Sequence, residues 1–517
     1  MATTYLSPGV YVEEIQQGTR PIQGVGTSLT AFVGITADAS IKRLDAKTGQ
    51  EFVVESRLNK PTLVTSWTSY TKIFGEFVSG AYLPDAVYGY FANGGGPCYV
   101  TSIRAMNEVS ATDATAAKAT IPSAKGDSFT VTAKLAGDVG NNLAVTVTSE
   151  IDADGKATGA FSLTVGRETA TGLTMKKSDD KHVGSAVFEN VTISDVGNAN
   201  SGPVDGTYVL SGGGMQSLSA ADFIGSAAKR TGLEGLEGID EVRLITCPDL
   251  MVGYDGTAEA KERVRSVQSA IVAHCERLRY RFAILDTPPG LSPQEVLEWR
   301  EYVNFDTSYA ALYYPWVQIP DLVQGGTRMS PPSGYVAGVY NRTDSSRGVH
   351  KAPANEILMG VVALETGISR GEQDQLNPRG VNCIRAFAGT GIRIWGARTL
   401  SSDGAWRYIN VRRLFIYVAA SMDAGLQWVV FEPNSSTLWA KVRRDVTAFL
   451  RTVWGSGALF GASEGEAFYV KCDGELNSAD VRDLGQLIIE VGISPVKPAE
   501  FVIFRLSQWA GADAESE

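Results

Sequence analysis

Two prolines close to the C-terminal end, Pro495 and Pro498, constrain this chain most. A proline inside a helix loses a backbone hydrogen bond and clashes with the preceding turn, so no helix runs through this stretch. Beyond them, Glu500, Val502, Phe504 and Leu506 alternate with Phe501, Ile503, Arg505 and Ser507. That alternation predicts a β-strand, and both of its faces are largely apolar. Such a strand needs cover on both sides. It either completes a sheet of its own chain or is donated to a neighbour's.

The stretch leading to it, Leu376 to Leu506, reads as an α+β unit with three helices. The first starts near Asp403; Val411, Leu414, Phe415, Val418 and Met422 form one apolar stripe, and Gly425 is a C-cap. The second follows Pro433, with Asn434 or Ser435 as N-cap; its buried face is Leu438, Val442, Val446, Phe449, Leu450 and Val453. The third takes Asn477 as N-cap and turns Val481, Leu484 and Ile488 to the core. Strands are expected at Ile392–Trp395, Trp428–Phe431 and Ala467–Cys472. On the second helix, Lys441, Arg443, Arg444 and Arg451 gather into a basic face. It is either simply solvated or fitted to an acidic partner; Arg412 and Arg413 are alternative contacts.

The 517 residues carry a net charge of −11, with 20% charged and 44% hydrophobic residues. This is the composition of a globular protein of several domains, without the basic excess that nucleic-acid binding requires. No segment reads as a signal peptide or a membrane span. The five cysteines, Cys98, Cys247, Cys275, Cys383 and Cys472, lie scattered in apolar runs. They are expected as buried free thiols made in a reducing compartment.

From the N-terminus, Ser7-Pro8-Gly9 is a turn, and Val10, Tyr11, Val12, Glu14 and Ile15 belong to a short strand. Residues 28–35 read as a buried strand and 37–60 as a surface hairpin. Further strands fall at 63–65 and 99–103, with helices at 67–74 and 83–91 between them. Residues 106–220 are rich in Thr, Ala, Gly, Ser and Asp, with alternating runs such as Phe129–Ala133, Leu143–Thr148 and Phe161–Val165. They predict an inserted all-β domain, sandwich or small barrel. Strand, helix and strand then alternate at 242–247, 257–279 and 281–286, followed by a helix at 293–303 and a strand at 310–314. This βαβ order implies a parallel sheet.

Catalytic readings fail on chemistry. AILDTPPG (Ala283 to Gly290) and GGTRMSPPSGYVAGV (Gly325 to Val339) are similar to the aspartate and serine segments of subtilisin-like proteases. The nucleophile's place is held by Arg328, however, and none of the three histidines, His182, His274 and His350, lies between the segments. A Ser–His relay has no base here, and neighbouring Ser330 has no visible partner. No His/Cys spacing suits a metal. Gly94–Gly96 lacks the lysine and helix of a phosphate loop, and the glycines of GTGIRIWG precede a strand where a dinucleotide loop would open a helix. Catalytic, cofactor-binding and metal residues are all expected to be none.

Several long words stand out: GVNCIRAFAGTGIRIWGARTLSS, WRYINVRRLF, FEPNSSTLW, GEAFYVKCD and PVKPAEFVI near the C-terminus, and LSPGVYVEEI, RPIQGVGTSLTAFVG, PTLVTSW and YFANGGGPCYV near the N-terminus. On these the chain resembles the contractile tail sheath family of phage tails and related injection systems. The resemblance thins out between Met106 and Ala220. It implies a fold of α/β and α+β domains: a subtilisin-like α/β middle domain without catalytic residues, a C-terminal α+β domain with exchanged β-arms, and an inserted all-β domain. The expected division is an N-terminal linking arm (1–24), part of the α/β core (25–105), an outer β insert (106–220), the subtilisin-like domain (221–375), a C-terminal domain facing an inner tube (376–498) and a C-terminal arm (499–517).

The resemblance further implies a structural subunit and not an enzyme. It polymerises around an inner tube in an extended metastable state and contracts to drive the tube through a target envelope. Expected partners are other copies of the chain, the tube protein, and baseplate and terminal cap proteins, with no nucleic acid and no direct membrane insertion. Assembly would take place in the bacterial cytoplasm, giving part of a phage tail or tail-like particle. Val10, Tyr11, Val12, Glu14, Ile15, Phe501, Val502, Ile503, Phe504 and Leu506 would be inter-subunit arm residues, and Lys441, Arg443, Arg444 and Arg451 would face the tube. The alternatives are a surface-binding module led by the β insert and a subtilisin-like hydrolase.

Overall fold

The computed structural model describes residues 21–44, 51–108, 114–136, 140–141, 143–152, 156–166, 168–198, 200–215, 218–323, 325–503 and 505. The chain enters through β1 (Thr30–Thr36), then β2 (Ser40–Leu44), β3 (Glu51–Ser56), β4 (Thr62–Val64), α1 (Trp67–Phe74), α2 (Leu83–Ala92) and β5 (Cys98–Ala105). All seven residues of β1 are buried, as suits a parallel strand covered on both faces. β2 and β3 pair only with each other, as the surface hairpin expected over 37–60. Ser66 caps α1 by accepting the Ser69 N–H at 3.1 Å.

The insert follows with β6 (Ala114–Ser123), β7 (Gly126–Ala136), β8 (Ala144–Ile151), β9 (Ala157–Val165), β10 (Glu168–Leu173), β11 (Val191–Ser194), β12 (Gly206–Val209) and β13 (Gly214–Met215). Two antiparallel four-stranded sheets, ordered β10-β9-β8-β12 and β11-β7-β6-β13, enclose one core that includes Phe129, Val131, Val147, Phe161 and Leu163. Of the two forms expected, the insert is therefore the sandwich.

After it come α3 (Ala220–Ile224), β14 (Leu244–Thr246), α4 (Ala258–Leu278), β15 (Phe282–Asp286), α5 (Pro293–Val303), β16 (Ala310–Tyr314), β17 (Val317–Pro320), β18 (Thr327–Ser330), α6 (Ser333–Arg347), β19 (Ala363–Leu364), α7 (Arg370–Leu376), β20 (Val381–Phe387) and β21 (Gly391–Ile394). The helix expected at 257–279 is α4 with its two caps: Thr257 accepts the Ala260 N–H, and Arg279 closes it at φ 63°. One eight-stranded sheet, β21-β20-β16-β15-β14-β1-β5-β4, joins the segments before and after the insert. Its inner pairs are parallel; β4 and β21 run antiparallel at the edges. Val264, Val267, Val296 and Trp299 of α4 and α5 belong to one core cluster, and Val87, Tyr90, Val336 and Tyr340 of α2 and α6 to another. The boundary expected at residue 376 moves, because β20 and β21 extend this large sheet.

The remainder is α8 (Ile409–Gly425), α9 (Ser436–Gly455), α10 (Glu464–Ala467), β22 (Phe468–Lys471), α11 (Ala479–Asp483) and β23 (Glu490–Ile493). α9 buries the six predicted residues, and Ser435 is its N-cap. Other expectations here are corrected. The first helix starts at Ile409 and not near Asp403. The third is the short α11 with Ser478 as its cap residue; Asn477 is instead buried and holds the Ile488 N–H at 2.7 Å. Leu484 and Ile488 are exposed, because so short a helix cannot carry a stripe down to the core. Residues 427–429 form a 3-10 turn where a strand was expected, and Phe431 sits at φ 69°, which breaks a ladder. Residues 499–503 form no strand, since no ladder partner lies beside them among the described residues.

Candidate assembly surface

Beyond β23 the chain is held by its backbone. Ser494 donates to the Ala467 carbonyl at 2.9 Å, and Val496 to Ala458 at 3.1 Å. Then one side chain takes over. The Glu500 carboxylate accepts Arg398 Nε at 2.8 Å and Nη2 at 2.7 Å, Asn377 Nδ2 at 2.6 Å and the Tyr408 hydroxyl at 3.0 Å. Burial favours the neutral acid, but the hydrogen bonds from Arg398 and Asn377 outweigh it and hold this carboxyl below its ordinary range. Immediately after this clamp, Phe501, Val502 and Ile503 are 72%, 70% and 78% exposed. Phe504 and Leu506 lie outside the described residues, as do Val10, Tyr11, Val12, Glu14 and Ile15.

The N-terminal approach is held differently. Ile22 is buried in the core of α8 and α9, and the Val25 N–H donates to Ser421 Oγ at 3.1 Å. A Cβ on Gly24 would come within 2.1 Å of the Tyr417 hydroxyl, so a larger residue here would have to displace that ring from beside the backbone. Thr27 then meets a buried ion pair. Arg413 Nη1 donates to Asp344 Oδ1 at 2.9 Å, Thr27 Oγ1 donates to Asp344 Oδ2 at 2.5 Å, and Arg413 Nη2 also donates to the Thr27 carbonyl at 3.0 Å. The guanidinium lies 4.7 Å from the Tyr340 ring centre. The residues leading in from the N-terminus thus lie on α8, and the pair ties α8 to α6 of the large sheet.

β22 and β23 form a sheet of two strands, with no further strand on either side among the described residues. Phe468 is buried, and Val470, Val491 and Ile493 pack on the α9 core. One face is thus covered while the edges stay thin. A two-stranded sheet is marginal alone. Phe431 and Phe460 are exposed in the same region.

The basic face of α9 borders a groove of about 600 Å³ lined by Arg443, Arg444, Arg451, Glu464 and Tyr469. Arg451 Nε donates to Glu464 Oε2 at 2.8 Å, Arg444 Nε to Asp445 Oδ1 at 3.1 Å, and Arg443 Nη1 to the Cys472 carbonyl at 3.2 Å. Lys441 is exposed with no carboxylate partner among the described residues. The alternatives are removed: Arg413 is buried, and Arg412 is packed over Trp406 and Tyr309.

The protease-like segments meet in an unexpected way. Arg328 forms an ion pair with Asp85, whose carboxyl burial pushes up to about 6. The serine that reaches Asp286 is Ser333, at the first turn of α6: its N–H donates to Oδ1 at 2.9 Å and its hydroxyl to Oδ2 at 2.5 Å. Burial pushes Asp286 up to about 7. Both groups are buried and the contact is direct, so this aspartate caps the first turn of α6. His274 is buried; desolvation and nearby Arg281 lower it to about 4. All five cysteines are buried free thiols. Among the described residues no three His, Cys, Asp or Glu groups gather to hold a metal, and no helix is long and apolar enough to cross a membrane.

Sequence reasoning missed the Glu500 clamp, although Glu500 and two of its three partners lie in the words singled out: Glu500 in PVKPAEFVI, Arg398 in GARTLSS and Tyr408 in WRYINVRRLF. Polar residues far apart in sequence carry no periodic signal of mutual contact.

Residues 221–400 match the family model described as phage tail sheath protein central domain, and residues 401–508 match that of the phage tail sheath C-terminal domain. A prophage major tail sheath protein of Pseudomonas aeruginosa is 29% identical over 304 residues, 57% of this chain and 74% of that protein. The tail sheath protein of Burkholderia phage BcepMu is 27% identical over 270 residues, 47% of this chain but 53% of its own length. The chain therefore matches only about half the length of the latter. Among solved structures, the helical sheath of the anti-feeding prophage in its contracted state aligns over 98% of this chain and 100% of its own, at a TM-score of 0.58 and 24% identity. The PVC sheath complex of an extracellular contractile injection system, also contracted, aligns over 98% and 99% at 0.58 and 23%.

Proposed function

Because the chain belongs to the phage tail sheath family, we propose that it is the structural sheath subunit of a contractile, tail-like particle. Many copies polymerise around an inner tube in an extended, metastable state. A signal from the baseplate lets rigid subunits repack, and the summed gain at many interfaces drives the tube through a target envelope. Other copies, the tube, the baseplate and a terminal cap are the partners. The particle assembles in the bacterial cytoplasm before it becomes a phage tail or an injection device.

The observation that carries this reading is a mismatch within the chain. A two-stranded sheet, β22-β23, has no further strand beside it among the described residues, and an apolar segment starting at Phe501 stands exposed. Each supplies what the other lacks, so the arm of one copy completes the sheet of the next by main-chain bonding. The N-terminal arm, Val10 to Ile15, serves the same role. The linking backbone stays paired while subunits move, which is what a contracting mesh needs.

Lys441, Arg443, Arg444 and Arg451 are assigned to the tube. Three of them already hold partners within the chain, so the contact they offer is loose, as a sliding surface requires. A subtilisin-like origin of the middle domain finds support in Asp286 at the end of β15 and Ser333 at the start of α6; with no histidine joining them, that origin carries no protease activity.

Electron microscopy of the chain expressed alone and with its genomic neighbours tests the reading. Ordered hollow cylinders are expected, and cylinders of two widths and lengths would demonstrate contraction. Compact monomers under both conditions would refute it.

A further inference from the structure

We propose that Glu500 is the positioning residue of the exchanged arm, setting where the donated strand begins and so its register on a second copy of this chain. This rests on the arm-exchange reading above. The need for such a residue follows from the arm's own sequence. Register is chosen by the hydrophobic pattern when one face of a strand is apolar and the other polar. Here Phe501 and Ile503 fall on one face and Val502 and Leu506 on the other. Pattern alone leaves the register open, and a slipped arm would still bury apolar surface.

Glu500 removes that freedom. It is the last residue before the exposed segment, and its carboxylate takes four hydrogen bonds from three residues of separate elements. Asn377 follows α7, and Tyr408 precedes the first turn of α8. Arg398 is itself fixed: its N–H donates to Asn382 Oδ1 at 2.7 Å, and Asn382 lies in β20 of the large sheet. The guanidinium and carboxylate are 11% and 18% exposed. A bidentate pair at this depth has both geometry and strength. The clamp therefore ties the arm to the large central sheet as well as to the small C-terminal one, so tension on the arm is passed to β20 through Arg398 and Asn382.

The full chain, purified as monomer, tests this with Glu500→Gln beside a truncation that removes residues 501–517 but keeps the clamp. The truncation must abolish polymerisation; if it polymerises, the arm-exchange reading fails. Glu500→Gln leaves the monomer folded, with its melting lowered by the lost ion pair, and frees the root. Amide exchange over residues 494–500 rises about tenfold or more, the concentration needed for polymerisation rises about tenfold, and the cylinders lose helical order. If the truncation blocks assembly while Glu500→Gln matches the parent in exchange, concentration and order, the clamp proposal is overturned and the arm reading survives. Should Glu500→Gln fail to fold, Tyr408→Phe removes one of the four bonds and no charge; its assembly threshold rises about two- to threefold, and an unchanged threshold overturns the proposal.

Discussion

The inserted sandwich and the C-terminal unit are both built on short antiparallel strands, yet they end in opposite conditions. The insert pairs eight strands into two sheets and closes an apolar core with its own residues. The C-terminal unit buries the face of α9 equally well but, among the described residues, leaves the edges of a two-stranded sheet unpaired and an apolar segment exposed. One region is complete as a folded body. The other leaves strand edges and apolar side chains open among the described residues, which is the ground for the arm exchange proposed above. A region's stability and its role in assembly are thus separable, and substitutions of similar cost should have different consequences in the two.

The joint that holds the C-terminal half to the rest is expected to give the largest effect. Arg413→Met leaves the Asp344 carboxylate buried without its partner, and breaking a buried pair costs about 3–5 kcal/mol. Denaturant unfolding should show this, along with loss of polymerisation. A cost below about 1 kcal/mol would mean that the two parts are not joined through this pair.

Next comes the direct comparison. Phe129, buried in the insert beside Phe161, should cost about 3–5 kcal/mol as alanine, confined to the insert's own unfolding, while cylinders still form. Leu450→Ala, in the α9 core, should cost about 2–5 kcal/mol and lower polymerisation with it. Equal damage to assembly from both would break the contrast.

Acid sensitivity should differ in sign between two carboxyls. Asp286 keeps its proton to about pH 7 in the folded protein but loses it near 3.8 when unfolded. The unfolded chain binds fewer protons across that window, so stability from this group falls as pH rises through it, by about 1.4 kcal/mol per unit. Asp286→Asn, which can still accept the Ser333 N–H, should flatten that slope. Glu500 is held below 4.5; its contribution is present above that pH and is lost as pH falls. Melting curves from pH 4 to 8 for the parent and Asp286→Asn check the first, and polymerisation at decreasing pH checks the second.

The smallest effects belong to the basic face of α9. Lys441→Glu or Arg451→Glu should leave folding unchanged and weaken tube association by less than about 1 kcal/mol each in low salt, with the difference shrinking as salt rises. Co-sedimentation with the tube protein measures it. A loss of many-fold from either change alone would make these residues anchors and not a sliding surface.

Much of this molecule was legible because its helices are periodic and capped. The helices expected at 293–303 and 67–74 have those bounds in the structure, and the span 257–279 expected for α4 is its helix plus its two cap residues. In the insert the Phe- and Val-bearing strands were found, while β6 (ATAAKATIPS) was missed, since alanine and threonine barely distinguish strand from loop. The strand expected at Ile392–Trp395 is β21, but β20 is not among the expected strands, and both join the large sheet, because local pattern does not show which sheet receives a strand. Periodicity likewise overextended α11, which ends after a turn because Asn477 is drawn inward by the Ile488 backbone.

By itself, the sequence determined what short-range chemistry decides: where many helices start and stop, that residues 106–220 are rich in β-strands, and that the residues after Pro498 are apolar on both faces. Only the tertiary structure decided which distant polar groups meet. Glu500 with Arg398, Asn377 and Tyr408, and Arg413 with Asp344 and Thr27, are contacts between elements far apart in the chain. A charged side chain carries no pattern that names its partner; the partner is set by where the packed sheets and helices bring it, and burial then gives the pair its strength.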